Sequence, residues 1–341
     1  MNDLAARLAG ALTKGGVKSD EQKDLGLYLS TGVPNLDSAL SGKYRGGGFK
    51  SSRVYEIAGP SSSGKTLIAQ HVMREAQKMG GAAAFHDHER TFDQNLFQSF
   101  GGDITPGVFT YKRPRTFEAS IDQSIDWMAS IRSAEVIPFE APLVVVFDSL
   151  AAMVPAANAE HDIQKGRNMK EKLALAQATS SELPAFSLFV EENNAIAIFL
   201  NQIRTKPGVV YGDPRYTPGG DSLEFYSSAR LFLSRSMEKE NKEVTGQKVT
   251  AETVKNKTYR PFLKAGWFFK FKEDGTGYID VIESMFEHIG SAALTAAGIQ
   301  TGTWFTWDGK RFQGKDNVIA AITADPNGLD ALIEIAENAN V

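Results

Sequence analysis

GPSSSGKT, residues Gly59, Pro60, Ser61, Ser62, Ser63, Gly64, Lys65 and Thr66, fits the phosphate-loop pattern G-x-x-x-x-G-K-[ST]. The glycines let backbone N–H groups close around phosphate oxygens. Lys65 reaches the β- and γ-phosphates of a nucleotide, and the Thr66 hydroxyl holds Mg²⁺. Before the octet, Val54-Tyr55-Glu56-Ile57-Ala58 is strand-like; after its second glycine, Lys65 to Met79 reads as a helix. A helix that starts there aims its free N–H groups and positive dipole end at the phosphates. The competing reading, a glycine-rich turn without a ligand, leaves the strand and helix on either side unexplained.

Outward from this octet, apolar strand-like runs alternate with helical segments from Arg53 to about Asp280, the pattern of an α/β fold with a mostly parallel, twisted sheet. Strands are expected over Val54 to Ala58, Ala82 to His86, Val108 to Tyr111, Leu143 to Phe147, Ile196 to Leu200 and Arg230 to Ser234. Further helices are expected over Thr116 to Ser133 and Met169 to Val190. Trp267 to Phe271 and Gly277 to Val281 read as late antiparallel strands. At the N-terminus Leu4, Leu8 and Leu12 share one face of a short helix, followed by a polar linker. From Ser284 the chain is helix-rich and acidic around an aromatic β element at Trp304 to Trp307. The expected division is an N-terminal arm over 1–32, an ATPase core over 33–280 and a small α+β domain over 281–341.

The chain has 341 residues and no cysteine, which excludes a disulfide framework, a Cys-based zinc site and thiol catalysis. Its five histidines lack metal-ligand spacing. The longest aliphatic runs are strand length, so no membrane partner is expected, and Asp3 and Arg7 interrupt any signal-peptide pattern. Cytoplasm is the expected location. Net charge is −4, against a generally basic nucleic-acid binder. The distribution is uneven, however: Lys255 to Lys272 holds six basic residues and no acid. A sum near zero can hide a basic groove.

Three further segments carry chemistry. Pro142 to Ser149 is an apolar strand ending in Asp148, the acid that supports Mg²⁺ in a phosphate-loop ATPase. Ala83 to Glu89 is a strand with an acid just past its end; Glu89 is the candidate base for the attacking water, with Asp87 as its rival. Asn201-Gln202-Ile203-Arg204 follows another core strand, where Gln202 can sense a γ-phosphate and pass its presence to the next loop. That loop, Ile203 to Asp221, is rich in Gly and Pro, including Gly219 and Gly220. It carries Arg204, Lys206, Arg215, Tyr211 and Tyr216, a mixture suited to single-stranded nucleic acid: charges for phosphates, rings for stacking. A solvated surface loop is the bland alternative.

In order, GPSSSGKT, AFHDHERTFD (Ala84 to Asp93), VVVFDS (Val144 to Ser149), NQIR (Asn201 to Arg204), GGDSLEFYSSARL (Gly219 to Leu231) and VKNK (Val254 to Lys257) resemble the bacterial RecA recombinase family. The resemblance runs from about Ser30 over most of the chain. It implies a RecA-like P-loop ATPase core that uses ATP and Mg²⁺. It also implies filaments on single-stranded DNA, pairing with homologous double-stranded DNA, and self-association into a helical filament. Residue roles follow from it. Glu89 resembles the catalytic glutamate, Gln202 the γ-phosphate sensor and Asp93 the adenine contact. Lys255 and Lys257 resemble the pair that reaches the ATP of a neighbouring subunit, and Phe225 the phenylalanine that docks there. Ala156 to Lys170 and Ile203 to Asp221 correspond to two DNA loops, and the Leu4/Leu8/Leu12 helix to the arm on an adjacent protomer.

The chain also departs from the family. Leu96 stands where an adenine-stacking tyrosine is usual, with Phe97 beside it; Glu224 stands where a lysine is frequent. Leu173 and Ser180 replace two arginines, and Lys165, Arg167, Lys170 and Lys172 are expected to supply that charge. The competing functions are a hexameric helicase-type motor and an ATP-gated scaffold that coats single strands with weak hydrolysis.

Overall fold

Leu143–Asp148 and Ala195–Asn201 are buried at every residue, as parallel strands covered on both faces must be. Their side chains alternate between two cores. Val144, Val146, Ile196, Ile198 and Leu200 face one apolar cluster; Val145, Phe147, Ala197 and Phe199 face the other. The computed structural model describes residues 25–159, 169–208, 212–240, 242–273, 276–339 and 341, and of 169–172 the backbone alone. Leu4, Leu8, Leu12, Lys165, Arg167 and Tyr211 therefore lie outside the described residues, as do the side chains of Lys170 and Lys172.

Nine strands form the main sheet: β1 (Arg53–Ala58), β2 (Ala82–Asp87), β3 (Phe109–Lys112), β4 (Leu143–Asp148), β5 (Ala195–Asn201), β6 (Ala229–Glu240), β7 (Glu243–Asn256), β8 (Lys264–Phe271) and β9 (Gly277–Asp280). Their spatial order is β9-β8-β7-β6-β1-β5-β4-β2-β3. From β6 to β3 the neighbours are parallel, and from β6 to β9 antiparallel. Helices α1 (Pro34–Ser41) and α2 (Lys65–Lys78) cover one face, and α3 (Gln94–Ser99) follows β2; α4 (Phe117–Ala134) and α5 (Met169–Glu192) cover the other face. The loops at the C-terminal ends of β1, β2, β4 and β5 therefore share one rim, where α/β sheets bind ligands.

The parallel strands match the sequence reading to within a residue or two. In the antiparallel half β8 and β9 stand where late antiparallel strands are expected, β8 beginning three residues earlier at Lys264, but the hairpin before them differs. The strand expected to stop at Ser234 continues to Glu240 and folds back as β7, which the sequence reading did not name as a strand. The Lys248 to Glu252 segment alternates polar and apolar residues instead of forming an apolar run, because buried Val249 and Ala251 alternate with half-exposed neighbours. The last strand ends at Asp280, one residue earlier than expected, because the Asp280 side chain accepts from Glu283 N (2.9 Å) and caps helix α7 (Val281–Ala296).

Beyond the sheet, β10 (Gln300–Thr301), β11 (Trp304–Trp307) and β12 (Lys310–Gln313) pair antiparallel beside α7, α8 (Lys315–Ala324) and α9 (Gly328–Ala339). Met285, Phe286, Ile289, Phe305, Val318 and Leu332 form a separate apolar cluster here. Tyr44, distant in sequence, belongs to it: its hydroxyl lies 2.7 Å from His288 Nε2 and donates to Val341 O.

Candidate functional site

Gly59 directly follows β1, and its N–H donates to Asn201 O at 3.2 Å. A Cβ at Gly59 would lie 2.6 Å from Ser63 Oγ and 2.9 Å from Leu233 Cβ, so glycine alone permits this closure. Gly64, with φ +86°, turns the chain into the first residue of α2. Lys65 Nζ donates to Gly59 O (3.2 Å) and Pro60 O (2.9 Å), folded over the loop. Burial pulls its pKa down, opposed by the charges of Asp148 and Glu89.

Thr66 Oγ1 donates to Asp148 Oδ2 at 2.8 Å. Burial pushes the Asp148 carboxyl up to about 6; the Thr66 hydrogen bond and Lys65 oppose this, while Glu89 and Asp87 add to it. This pair is an all-oxygen donor set suited to Mg²⁺ bound through water. Buried Ser63 Oγ has no hydrogen-bond partner among the described residues. No cluster of three or more His, Asp or Glu suited to a metal occurs among the described residues, so the ion would need phosphate oxygens and water to complete its shell.

The geometry separates the two candidate bases. Asp87 is fully buried, and its oxygens accept from Arg90 N (2.6 Å), Thr91 N (3.3 Å), Phe92 N (3.1 Å) and Tyr111 Oη (2.8 Å). It holds the turn that presents Glu89. Glu89 is exposed, and its Oε1 accepts from Ser149 Oγ. Lys65, Thr66, Glu89, Asp148 and Gln202 line one cavity of 430 Å³. Gln202 is exposed at its rim, with its N–H fixed by Asn201 Oδ1 at 2.9 Å.

A second cavity, of 410 Å³, flanks the phosphate loop and is lined by Leu96, Gln247, Phe269 and Phe271 with residues of the loop and α2. Asp93 caps α3 by accepting from Leu96 N at 3.1 Å. Phe97, beside Leu96 in sequence, is fully buried and packs near Phe92 and Phe109, so it cannot substitute for a stacking tyrosine. The exposed ring in this cavity is Phe271, which the sequence reading gave only as part of a strand. Its signal was in the sequence: an apolar aromatic at the last position of a strand, where core packing ends.

On the other side of Gln202, a groove of 440 Å³ is lined by Arg204, Lys206, Tyr216, Gly219, Gly220, Asn158 and Leu173, among others. Arg204 and Lys206 are exposed, and Lys206 Nζ lies 5.4 Å from the Tyr216 ring centroid. Arg215 is engaged differently from the other loop cations: it pairs with Asp213 (2.7 Å) and Glu252 (2.9 Å), which hold its pKa above the ordinary value. Gly219 and Gly220 have positive φ and press on Leu150 and Ala176, where a Cβ would come within 2.6 and 2.8 Å. They set how closely the loop approaches α5.

Just before the start of β6, at the end of the sheet where β1 also begins, the short helix α6 (Ser222–Tyr226) presents Phe225, 69% exposed. Lys255 Nζ donates to Glu224 O and, at 2.9 Å, to Phe225 O; Lys257 Nζ donates to Phe225 O at 3.2 Å. Burial, Lys257 and Arg230 pull the Lys255 ammonium down to about 8. Neither lysine lines the cavity over this chain's own phosphate loop. Glu224, the departure from the lysine pattern, pairs within the chain with Arg230 NH1 at 2.7 Å.

A family model described as the RecA N-terminal domain matches residues 9–274. Protein RecA of Macrococcus caseolyticus is 33% identical over 325 residues, covering 95% of this chain and 84% of the relative. Protein RecA of Symbiobacterium thermophilum is 36% identical over 291 residues, 85% and 76% of the two chains. Protein RecA of Staphylococcus aureus is 35% identical over 299 residues, 87% and 79%.

Proposed function

The chain belongs to the RecA family, and from that premise we infer that it is an ATP-dependent DNA recombinase, one that forms helical filaments on single-stranded DNA and catalyses homologous pairing and strand exchange. The observation that carries the reading is the convergence of Lys65, Thr66, Glu89, Asp148 and Gln202, from four separate segments, on one cavity. The loop N–H groups and Lys65 bind the polyphosphate. Thr66 and Asp148 would hold Mg²⁺, whose charge would offset that of the phosphate oxygens. Glu89, steadied by Ser149, orients the attacking water and takes its proton on Oε2. Gln202 meets the γ-phosphate end. Asp93, Leu96 and Phe271 receive the base.

Arg204, Lys206, Tyr211 and the Lys165, Arg167, Lys170 and Lys172 group hold the DNA strand through phosphates and stacking, while base pairing reads sequence. Phe225 and the Leu4/Leu8/Leu12 arm join protomers head to tail, which generates an open helix. Lys255 and Lys257 then exchange the carbonyls of Glu224 and Phe225 for the phosphates of the neighbour's nucleotide. Residues 281–341 act as a small domain beside the core. We place the protein in the cytoplasm; no helix among the described residues is long and apolar enough to cross a membrane.

The test is strand exchange between a circular single strand and a linear duplex with ATP and Mg²⁺. Exchange with the homologous duplex alone is expected. Strand separation regardless of homology would replace this reading with a helicase; DNA coating without either activity would replace it with a scaffold.

A further inference from the structure

Glu56 is a carboxylate in the middle of β1, three residues before the phosphate loop, and its side chain is fully buried. Ionised groups are not left at such positions without partners. Its two oxygens have different ones. Oε1 accepts from Asn201 Nδ2 at 2.8 Å; Oε2 accepts from Arg230 Nε at 2.6 Å. Arg230 stands opposite Glu56 in the parallel pairing of β6 with β1.

Both partners reach on to the same piece of chain. Asn201 Nδ2 also donates to Pro218 O at 3.0 Å, and Arg230 NH2 donates to Thr217 Oγ1 at 3.1 Å. Thr217 and Pro218 are the C-terminal stem of the second DNA loop, immediately before Gly219. Asn201 faces the other way too: its Oδ1 fixes Gln202 N and its backbone carbonyl accepts from Gly59 N. Arg230 keeps one arm outside, on Glu224.

We propose that Glu56 is a positioning residue that ties the register of Gln202 and the phosphate loop to that of the second DNA loop. The proposal rests on the recombinase reading above. A shift of Gln202 toward a phosphate moves Asn201, and Asn201 cannot leave Glu56 without stranding a buried carboxylate oxygen. The displacement is therefore passed to Pro218 and, through Arg230, to Thr217. Two hydrogen bonds accepted by one buried carboxyl group make cavity and groove move together, so nucleotide binding and DNA binding each report on the other.

The experiment measures the coupling factor, the ratio of dissociation constants for a fluorescent oligo(dT) without and with adenylyl-imidodiphosphate and Mg²⁺. Glu56→Gln keeps the shape and leaves Arg230 its Glu224 partner. The expected result is a coupling factor that falls at least fivefold toward one, with nucleotide affinity in the absence of DNA changed less than threefold. A purely structural role would weaken both ligands or the fold and leave the ratio unchanged, and that outcome overturns the proposal. Thr217→Val, which removes the loop end of the Arg230 arm without touching the core, decides the matter if Glu56→Gln does not fold: a smaller fall in the ratio supports the proposal, and an unchanged ratio overturns it. A ratio of one in the unsubstituted protein is a different failure. It removes the recombinase reading, and the inference with it.

Discussion

The phosphate cavity and the α6 end of strands β6 and β7 both set lysines against backbone carbonyls, yet they are complementary in what they lack. The cavity has the phosphate loop, the Thr66–Asp148 pair and the candidate base, but Lys65 is the one cation among its described lining residues, beside the acids Asp148 and Glu89. A polyphosphate in phosphoryl transfer calls for more positive charge than one lysine and one Mg²⁺ provide. The α6 end has Lys255 and Lys257 next to exposed Phe225 and no phosphate loop of its own. Each region supplies the component missing from the other, and a single chain keeps them apart. In the proposed recombinase the catalytic site would be divided between copies, so that assembly and hydrolysis would share one switch.

The largest expected effect tests the cavity alone. Lys65→Ala is expected to lower ATP hydrolysis by roughly a thousandfold or more and to abolish nucleotide-dependent filaments in electron micrographs. Normal ATP-dependent assembly by this variant would break the comparison at its first term. Next comes the α6 end: replacing Lys255 and Lys257 by Ala is expected to cut DNA-stimulated turnover by roughly a hundredfold. Nucleotide affinity of the isolated protomer should stay within about twofold, since neither lysine lines its own cavity. Equal loss in both assays would place the lysines in the chain's own site. The smallest effect sharpens the boundary of the cavity. Phe271→Ala should weaken nucleotide binding by about three- to tenfold, the worth of one aromatic contact. Phe97→Ala should instead destabilise the fold by about 3–5 kcal/mol in urea titration, as loss of a buried ring does. Reversal of those two results would restore Phe97 as the base contact.

Legibility in the sequence followed burial and locality. Val144 to Phe147 and Ile196 to Leu200 announce themselves because both faces of their strands are covered. The hairpin of β6 and β7 stays hidden because its tip, Met237 to Val244, is largely exposed and reads as a charged loop. The phosphate octet is local, so its residue types specify it without the rest of the fold. The choice between Asp87 and Glu89 is not local: it depends on three N–H groups and the Tyr111 hydroxyl gathered by the turn. The same is true of Arg215, whose neutralising partner Glu252 lies on another strand, and of Phe271, which meets Leu96 only across the flank of the phosphate loop. Pattern gave types of group; the fold decided which were already engaged.

Tyr44 adds a matter of timing. Its hydroxyl and His288 are 244 residues apart in sequence. Contacts between such distant segments form late, because closing the intervening chain costs entropy before packing offsets it. Chains emerging from a ribosome fold from the N-terminal side. The sheet that carries the phosphate rim can thus be complete while this phenol still faces water, waiting for the cluster of Met285, Phe305 and Leu332 to be made. A nascent chain halted after β9 would hold a nearly finished nucleotide site and leave uncovered Tyr44, a side chain the finished protein buries. Water access to that phenol would thus distinguish the unfinished chain from the finished one.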